Sequence, residues 1–193
     1  MGRFADIATA IAQAQAMERQ WLQLRGSRPA DPRTTGWMPY DLFGYAALVF
    51  EAIPVIPAFA PDKPPRILHV GAGPGSKMII DRDVFGLDPY GIEIDPAMAG
   101  AAAAAGLLVL TADAATWAGY ADADCIWLNR PLRDPAAESA LERKIWREMA
   151  PGAVIICAHL EAPPPAEWII VLDDWESGRR GAWVKPYPVP ELA

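Results

Sequence analysis

Cysteine and histidine are nearly absent from this chain: its 193 residues include two of each, Cys125, Cys157, His69 and His159. Both cysteines lie inside apolar runs, so they are expected to be buried, reduced thiols, and they offer no disulfide scaffold and no metal site. No hydrophobic run reaches membrane-spanning length. The opening "MGRFADIATAIAQAQA" has no long apolar stretch and carries Asp6, which makes a poor secretory signal. Its Met-Gly start has aspartate at position 6, so the myristoylation pattern fails. Positive charge is scarce too: 17 Lys and Arg stand against 24 Asp and Glu, a net charge of −7 that argues against generic nucleic-acid binding. Residues 1–40 depart from this balance, with Arg3, Arg19, Arg25, Arg28 and Arg33 against Asp6, Glu18 and Asp31; a solvated, mildly basic arm on an acidic body is expected. Internal repeats are missing as well. Together these absences lead to the expectation of a soluble, cytoplasmic protein without a membrane partner.

What is present fits one globular domain: 52% hydrophobic and 21% charged residues, with 20 prolines gathered at segment edges. Apolar spacing predicts a helix over 4–24, stopped by Gly26, and a mostly apolar helix over 40–53 closed by Pro54 and Pro57. From "RILHV" (66–70) onward, strand and helix signals alternate. Strands are expected at 66–70, 90–94, 107–112, 124–129 and 153–160. Helices are expected from Ser76, over 97–105, around 114–120 and over 135–150. Two apolar runs about a Gly/Arg/Glu tip in 168–187 then signal a hairpin. The expected fold is α/β: a doubly wound, mostly parallel seven-stranded sheet, Rossmann-like, with an antiparallel C-terminal hairpin strand and an N-terminal helical extension. Residues 1–65 form that extension, packed on a core of 66–193.

In such a sheet the ligand site lies just beyond the carboxyl ends of the strands. After the first strand come Gly71, Gly73 and Gly75, which let the backbone approach a ligand closely. A dinucleotide fingerprint would need glycine at 76, where Ser76 stands, and Pro74 removes a backbone donor, so a nicotinamide cofactor is disfavoured. Glu93, 20 residues after Gly73, is placed to take ribose hydroxyls; Asp95 and Asp88 are the alternatives, Asp95 also suiting a helix cap. Asp113 follows the third strand, as an acceptor for an exocyclic amine or as a cap. Asn129 and Pro131 follow the fourth.

The ordered segments "ILHVGAGPG", "YGIEIDPAM", "LTADAATW", "DCIWLNRPL" and "REMAPGAVII" resemble the class I S-adenosylmethionine-dependent methyltransferases over roughly residues 36–187. The resemblance implies S-adenosyl-L-methionine as cofactor, with Gly71, Gly73 and Gly75 along its methionine part, Glu93 on the ribose and Asp113 on the adenine. It also implies Asn129 and Pro131 at the methyl-transfer site. "TGWMPYDLFGYAAL" is similar to the segment that covers the methionine end in amino-methyltransferases, with Trp37 and Tyr40 as pocket aromatics. The family usually has an acid at the position of His69, which orients the turn and helps place the cofactor's amino group; Lys77 is a candidate partner for its carboxylate. Where enzymes that methylate planar nitrogens resemble Asn-Pro-Pro-aromatic, this chain has Asn129, Arg130, Pro131 and Leu132, which keeps the carbonyl acceptors and loses the stacking platform. The implied function is methyl transfer to an acceptor the sequence does not identify, the candidate being an amine nitrogen of a small molecule or protein. The alternative is a methyltransferase-like binding or scaffold module without catalysis. His159, at the end of the fifth strand, is the nearby candidate base.

Overall fold

Aspartate followed by proline starts two of the helices. Helix α4 (Pro96–Ala104) begins after Asp95, whose carboxylate accepts the Ala97 N–H at 2.8 Å, and α5 (Pro135–Glu148) begins after Asp134, which accepts the Ala137 N–H at 2.8 Å. The side chain satisfies an orphan donor of the first turn, and proline there has no donor to satisfy. Asp41 does the same for α2 (Leu42–Ala52), accepting from Phe43 and Gly44, and Pro54 draws the end of α2 into a tight 3₁₀ turn over Ile53–Val55. The remaining helices are α1 (Gly2–Arg25) and the short α3 (Ser76–Ile80), which widens into a π-helical turn over Asp81–Phe85 and stops at Gly86. This computed structural model describes residues 2–25, 31–34, 41–57, 62–174 and 179–188.

The strands are β1 (Arg66–Val70), β2 (Asp88–Glu93), β3 (Leu108–Thr111), β4 (Cys125–Asn129), β5 (Val154–Ala158), β6 (Ile169–Asp174) and β7 (Arg180–Val184). They form one seven-stranded sheet in the order β3-β2-β1-β4-β5-β7-β6. The first five are parallel, and β7 pairs antiparallel with both β5 and β6. The expected sheet and terminal hairpin are both present. Strand order reverses between β1 and β4, which sets a crevice at their carboxyl ends.

The central strands β1, β4 and β5 are buried on both faces, as a parallel sheet requires, whereas the edge strands β3 and β6 are largely exposed. Alternate residues of β4 divide between the two faces. Ile126 and Leu128 pack with Leu141 and Ile145 of α5, whereas Cys125 and Trp127 pack with Ile11 and Ala14 of α1 and Tyr45 and Val49 of α2. Tyr45 meets Trp127 edge-on, with ring centroids 4.7 Å apart. Both cysteines are free and buried, and burial pushes their thiols well above the usual range.

Two local expectations change. The strand expected at 90–94 begins at Asp88, because the Asp88 N–H bonds the Pro65 carbonyl and extends the pairing backwards. The helical piece expected around 114–120 is a turn followed by a short 3₁₀ stretch over Gly119–Asp122. Asp113 accepts the Ala115 N–H with its side chain and the Thr116 and Trp117 N–H groups with its carbonyl, a local arrangement that competes with a helix. Among the described residues, no helix is long and apolar enough to cross a membrane, and no cluster of side chains could hold a metal ion.

Candidate functional site

The turn after β1 is held to β2 by backbone: the Gly71 and Ala72 N–H groups both donate to the Ile92 carbonyl at 3.0 Å. Gly71, Gly73 and Gly75 all have positive φ, at 71°, 57° and 91°. At Gly75 a side chain is barred twice, since a Cβ there would also stand 2.5 Å from Leu107 Cδ1. At Gly71 a Cβ would meet Pro131 Cβ at 3.2 Å, so the turn and the loop after β4 face each other closely.

Glu93 ends β2 against this turn. One carboxylate oxygen accepts the Gly73 N–H at 2.8 Å and the other accepts the Asp95 N–H at 2.9 Å. An ionised carboxylate has about four lone-pair sites, so each oxygen keeps accepting capacity. Burial pushes the Glu93 carboxyl up, opposed by these N–H groups. Of the two alternatives, Asp95 uses one carboxylate oxygen to cap α4, and Asp88 lies at the amino end of β2, 3.8 Å from Arg66, on the opposite edge of the sheet.

Asn129, at the end of β4, has its Oδ1 buried and without a hydrogen-bond partner among the described residues. Beyond it Arg130 adopts φ 39° and pairs with Glu161 at 2.8 Å, and His159 beyond β5 adopts φ 60°. Non-glycine residues in this region are strained and cluster where function demands it. Partial desolvation, then the charges of Arg130 and Arg180, hold the His159 imidazole towards the neutral form.

Asp113 stands at the end of β3, across the mouth. Its Oδ1 caps its own turn and its Oδ2 accepts from Arg33 at 3.0 Å. The segment 31–34 continues to the other side of the crevice: Arg33 O accepts the Arg133 N–H at 2.9 Å, and Thr34 bridges Leu132. A short strap thus ties the β3 and β4 loops together, which the mild basicity of the arm did not reveal.

His69 and Lys77 are directed elsewhere than the resemblance implies. His69 Nε2 lies 2.6 Å from Asp81 Oδ2, and the Tyr45 hydroxyl donates to Asp81 at 2.6 Å, all three side chains being buried between the sheet, α2 and α3. The His69 ring thereby fills a core position, with Asp81 supplying the neighbouring carboxylate. Lys77 is also buried; desolvation lowers its pKa, and the carboxylates of Glu18 on α1 and Asp81 oppose this. Glu18 in turn accepts from the Ser76 hydroxyl at 2.7 Å, so α1 closes over the start of α3. Trp37 and Tyr40 lie outside the described residues. The structure therefore brings together the three glycines, Glu93, Asn129 and Pro131, leaves Asp113 at the rim under Arg33, and turns His69 and Lys77 inward.

Glu138 and Glu142 escaped the reading of residue order. Glu138, Leu141, Glu142 and Ile145 share one helical face, so two acids inside an apolar stripe were a legible signal of buried carboxylates.

The strand order, the glycine turn at its reversal and the antiparallel final pair define the fold of the class I S-adenosylmethionine-dependent methyltransferases. Solved structures with this fold bear the likeness out. An RNA methyltransferase from Salinibacter ruber in complex with S-adenosyl-L-homocysteine matches with TM-score 0.50 and 18% identity, over 75% of this chain and 94% of that one. An S-adenosylmethionine-dependent methyltransferase from Clostridium acetobutylicum ATCC 824 matches with TM-score 0.51 and 11% identity, over 75% of this chain and 56% of that one. MtNAS in complex with MTA and tNA matches with TM-score 0.54 and 16% identity, over 94% of this chain and 71% of that one. The chain spans little more than half of the Clostridium protein, and at these identities the likeness is one of fold. No protein-family profile and no curated protein matches the sequence.

Proposed function

We propose that this chain binds S-adenosyl-L-methionine at the carboxyl edge of β1, β2 and β4 and transfers its methyl group to an amine nitrogen. The observation that carries the acceptor class is Asn129 Oδ1, a buried carbonyl oxygen beside the glycine turn with no partner among the described residues. Leaving such an acceptor unpaired costs about 1–3 kcal/mol, which an N–H group of the substrate recovers. Three positive-φ glycines that admit close approach, and a Glu93 carboxylate with spare accepting capacity for ribose hydroxyls, fit the cofactor. When bound, the cofactor, held by the glycine turn and Glu93, would supply an electrophilic sulfonium methyl for the acceptor nitrogen, and the proton released by that nitrogen would need a base. Asn129 accepts an N–H and thereby aims the lone pair; catalysis here is positioning. His159, one residue beyond the register partner of Asn129 and held towards its neutral form, is the base on that edge.

The name of the Salinibacter protein introduces RNA as an acceptor, but a net charge of −7 argues for a small molecule or a protein. The test is calorimetric titration with S-adenosyl-L-homocysteine, followed by labelled-methyl transfer to small amines, proteins and RNA. No binding at millimolar ligand would sink the proposal. Binding without transfer to any acceptor would favour a module that has kept the cofactor and lost catalysis. Asn129→Ala should abolish transfer and leave homocysteine-form affinity within about twofold. Its Tm should hold or rise, because the unpaired oxygen is removed with it.

A further inference from the structure

Helix α5 presents Glu138 and Glu142 one turn apart on its buried face, and each grips a different strand-end loop. Glu138 Oε2 accepts the Leu132 N–H at 2.8 Å in the loop after β4. Glu142 accepts the Glu161 N–H at 2.8 Å in the loop after β5. The two loops are joined by the Arg130–Glu161 ion pair. Glu138 is fully buried and its Oε1 has no hydrogen-bond partner among the described residues. The loop it holds runs from Asn129 to Asp134 and includes Arg130 at φ 39°. A strained residue persists only where its surroundings over-determine it. On the rim side this loop is held by backbone pairing to Arg33 and Thr34; from the core side the hold on Leu132 is the Glu138 carboxylate.

We propose that Glu138 is a positioning residue, which acts through the Leu132 N–H to set the loop that presents Asn129 and Pro131 to the methyl acceptor. Its functional consequence rests on the methyl-transfer proposal; the positioning itself does not. The hold is sensitive to protonation. Burial pushes Glu138 up to about 8; the facing carboxylates of Glu142 on α5 and Glu161 after β5 push the same way, and the Leu132 N–H and the Arg130 guanidinium oppose. Arg130 is shared with Glu161, which also has Arg179 at 3.7 Å. Near neutral pH the group is mostly protonated, and ionisation above pH 8 places a charge among two further carboxylates beneath the loop.

The experiment follows the Leu132 backbone amide by ¹⁵N–¹H correlation spectra from pH 6 to 9.5, in the wild type, Glu138→Gln and Glu138→Ala. In the wild type its shift should titrate with a midpoint near 8. Glu138→Gln should abolish that titration and keep the amide protected, because the side-chain carbonyl still accepts. Glu138→Ala should speed Leu132 amide exchange at least tenfold and leave Ile155, in the core of β5, unchanged. A flat Leu132 profile in the wild type, or a titration that survives in Glu138→Gln, overturns the proposal. So does unchanged Leu132 protection in a folded Glu138→Ala. Should Glu138→Ala fail to fold, the first two comparisons decide. Titration of the same samples with S-adenosyl-L-homocysteine separates the two ideas: absent binding with the Leu132 titration intact removes the methyl-transfer reading and leaves the positioning role standing.

Discussion

The Glu93 carboxylate receives the Gly73 N–H at 2.8 Å and so braces the glycine turn at the end of β1 from the end of β2. The same carboxylate holds the Asp95 N–H, at 2.9 Å, where α4 begins. One side chain thus sets two backbone segments of the crevice. Glu93→Ala strands two buried N–H groups and should cost about 1–3 kcal/mol of stability, measured by urea unfolding. If the same oxygens also hold ribose hydroxyls, S-adenosyl-L-homocysteine affinity falls at least tenfold, about 1.4 kcal/mol. Unchanged affinity in a stable Glu93→Ala protein would remove Glu93 from the cofactor site.

The His69–Asp81–Tyr45 group predicts the opposite pattern. All three side chains lie in the core, and leaving a buried polar group without its hydrogen-bond partner costs about 1–3 kcal/mol. Asp81→Ala should therefore lower Tm sharply, and Tyr45→Phe should cost about 1–3 kcal/mol through its lost hydroxyl. His69→Asn, if it folds, should leave S-adenosyl-L-homocysteine affinity within about twofold. A large affinity loss with unchanged Tm would return His69 to the cofactor.

Gly75→Ala tests the backbone of the turn. At φ 91°, with Leu107 Cδ1 2.5 Å from the new Cβ, it should destabilise the fold by roughly 1–3 kcal/mol. Leu107→Val added to Gly75→Ala should recover part of the loss, because the clash is with the tip of that side chain. A Tm equal to the wild type for Gly75→Ala would contradict the positive φ.

Stability should fall as pH rises from about 4.5 to about 8. Glu138 moves from 4.5 to about 8 on folding, so between those values the folded chain binds the extra proton. The carboxyl's contribution is full below 4.5 and lost as pH climbs through 8. Urea midpoints across this range should decline more steeply for the wild type than for Glu138→Gln. Parallel slopes would show that Glu138 does not keep its proton.

Arg33 competes with any ligand amine for Asp113 Oδ2. The pair lies on the surface, where ion pairs add little stability, so Arg33→Ala should leave Tm essentially unchanged. S-adenosyl-L-homocysteine should bind several-fold more tightly once Asp113 is released. Weaker binding would instead make the strap part of the ligand site.

Residue order by itself determined the strands, their parallel succession, the closing hairpin, the glycine turn and the Asp-Pro helix starts. These are local properties: periodicity, turn chemistry and caps act over a few residues, and the apolar runs of β4 and β5 have no stable place except between two covered faces. The acids that end strands were legible for the same reason, since position along a parallel strand decides which edge a residue reaches. What the tertiary structure decided is where the buried polar groups find partners. His69 pairs with Asp81, Glu18 with Ser76 and Glu138 with Leu132. No propensity links such pairs. Helix crossings and loop closures bring them together, and each buried donor, acceptor or charge then takes the partner that spares it the cost of desolvation. That is why Lys77 and His69 turned inward and why Glu138 was read only as part of a helix, while Asn129 kept an unpaired oxygen at the crevice.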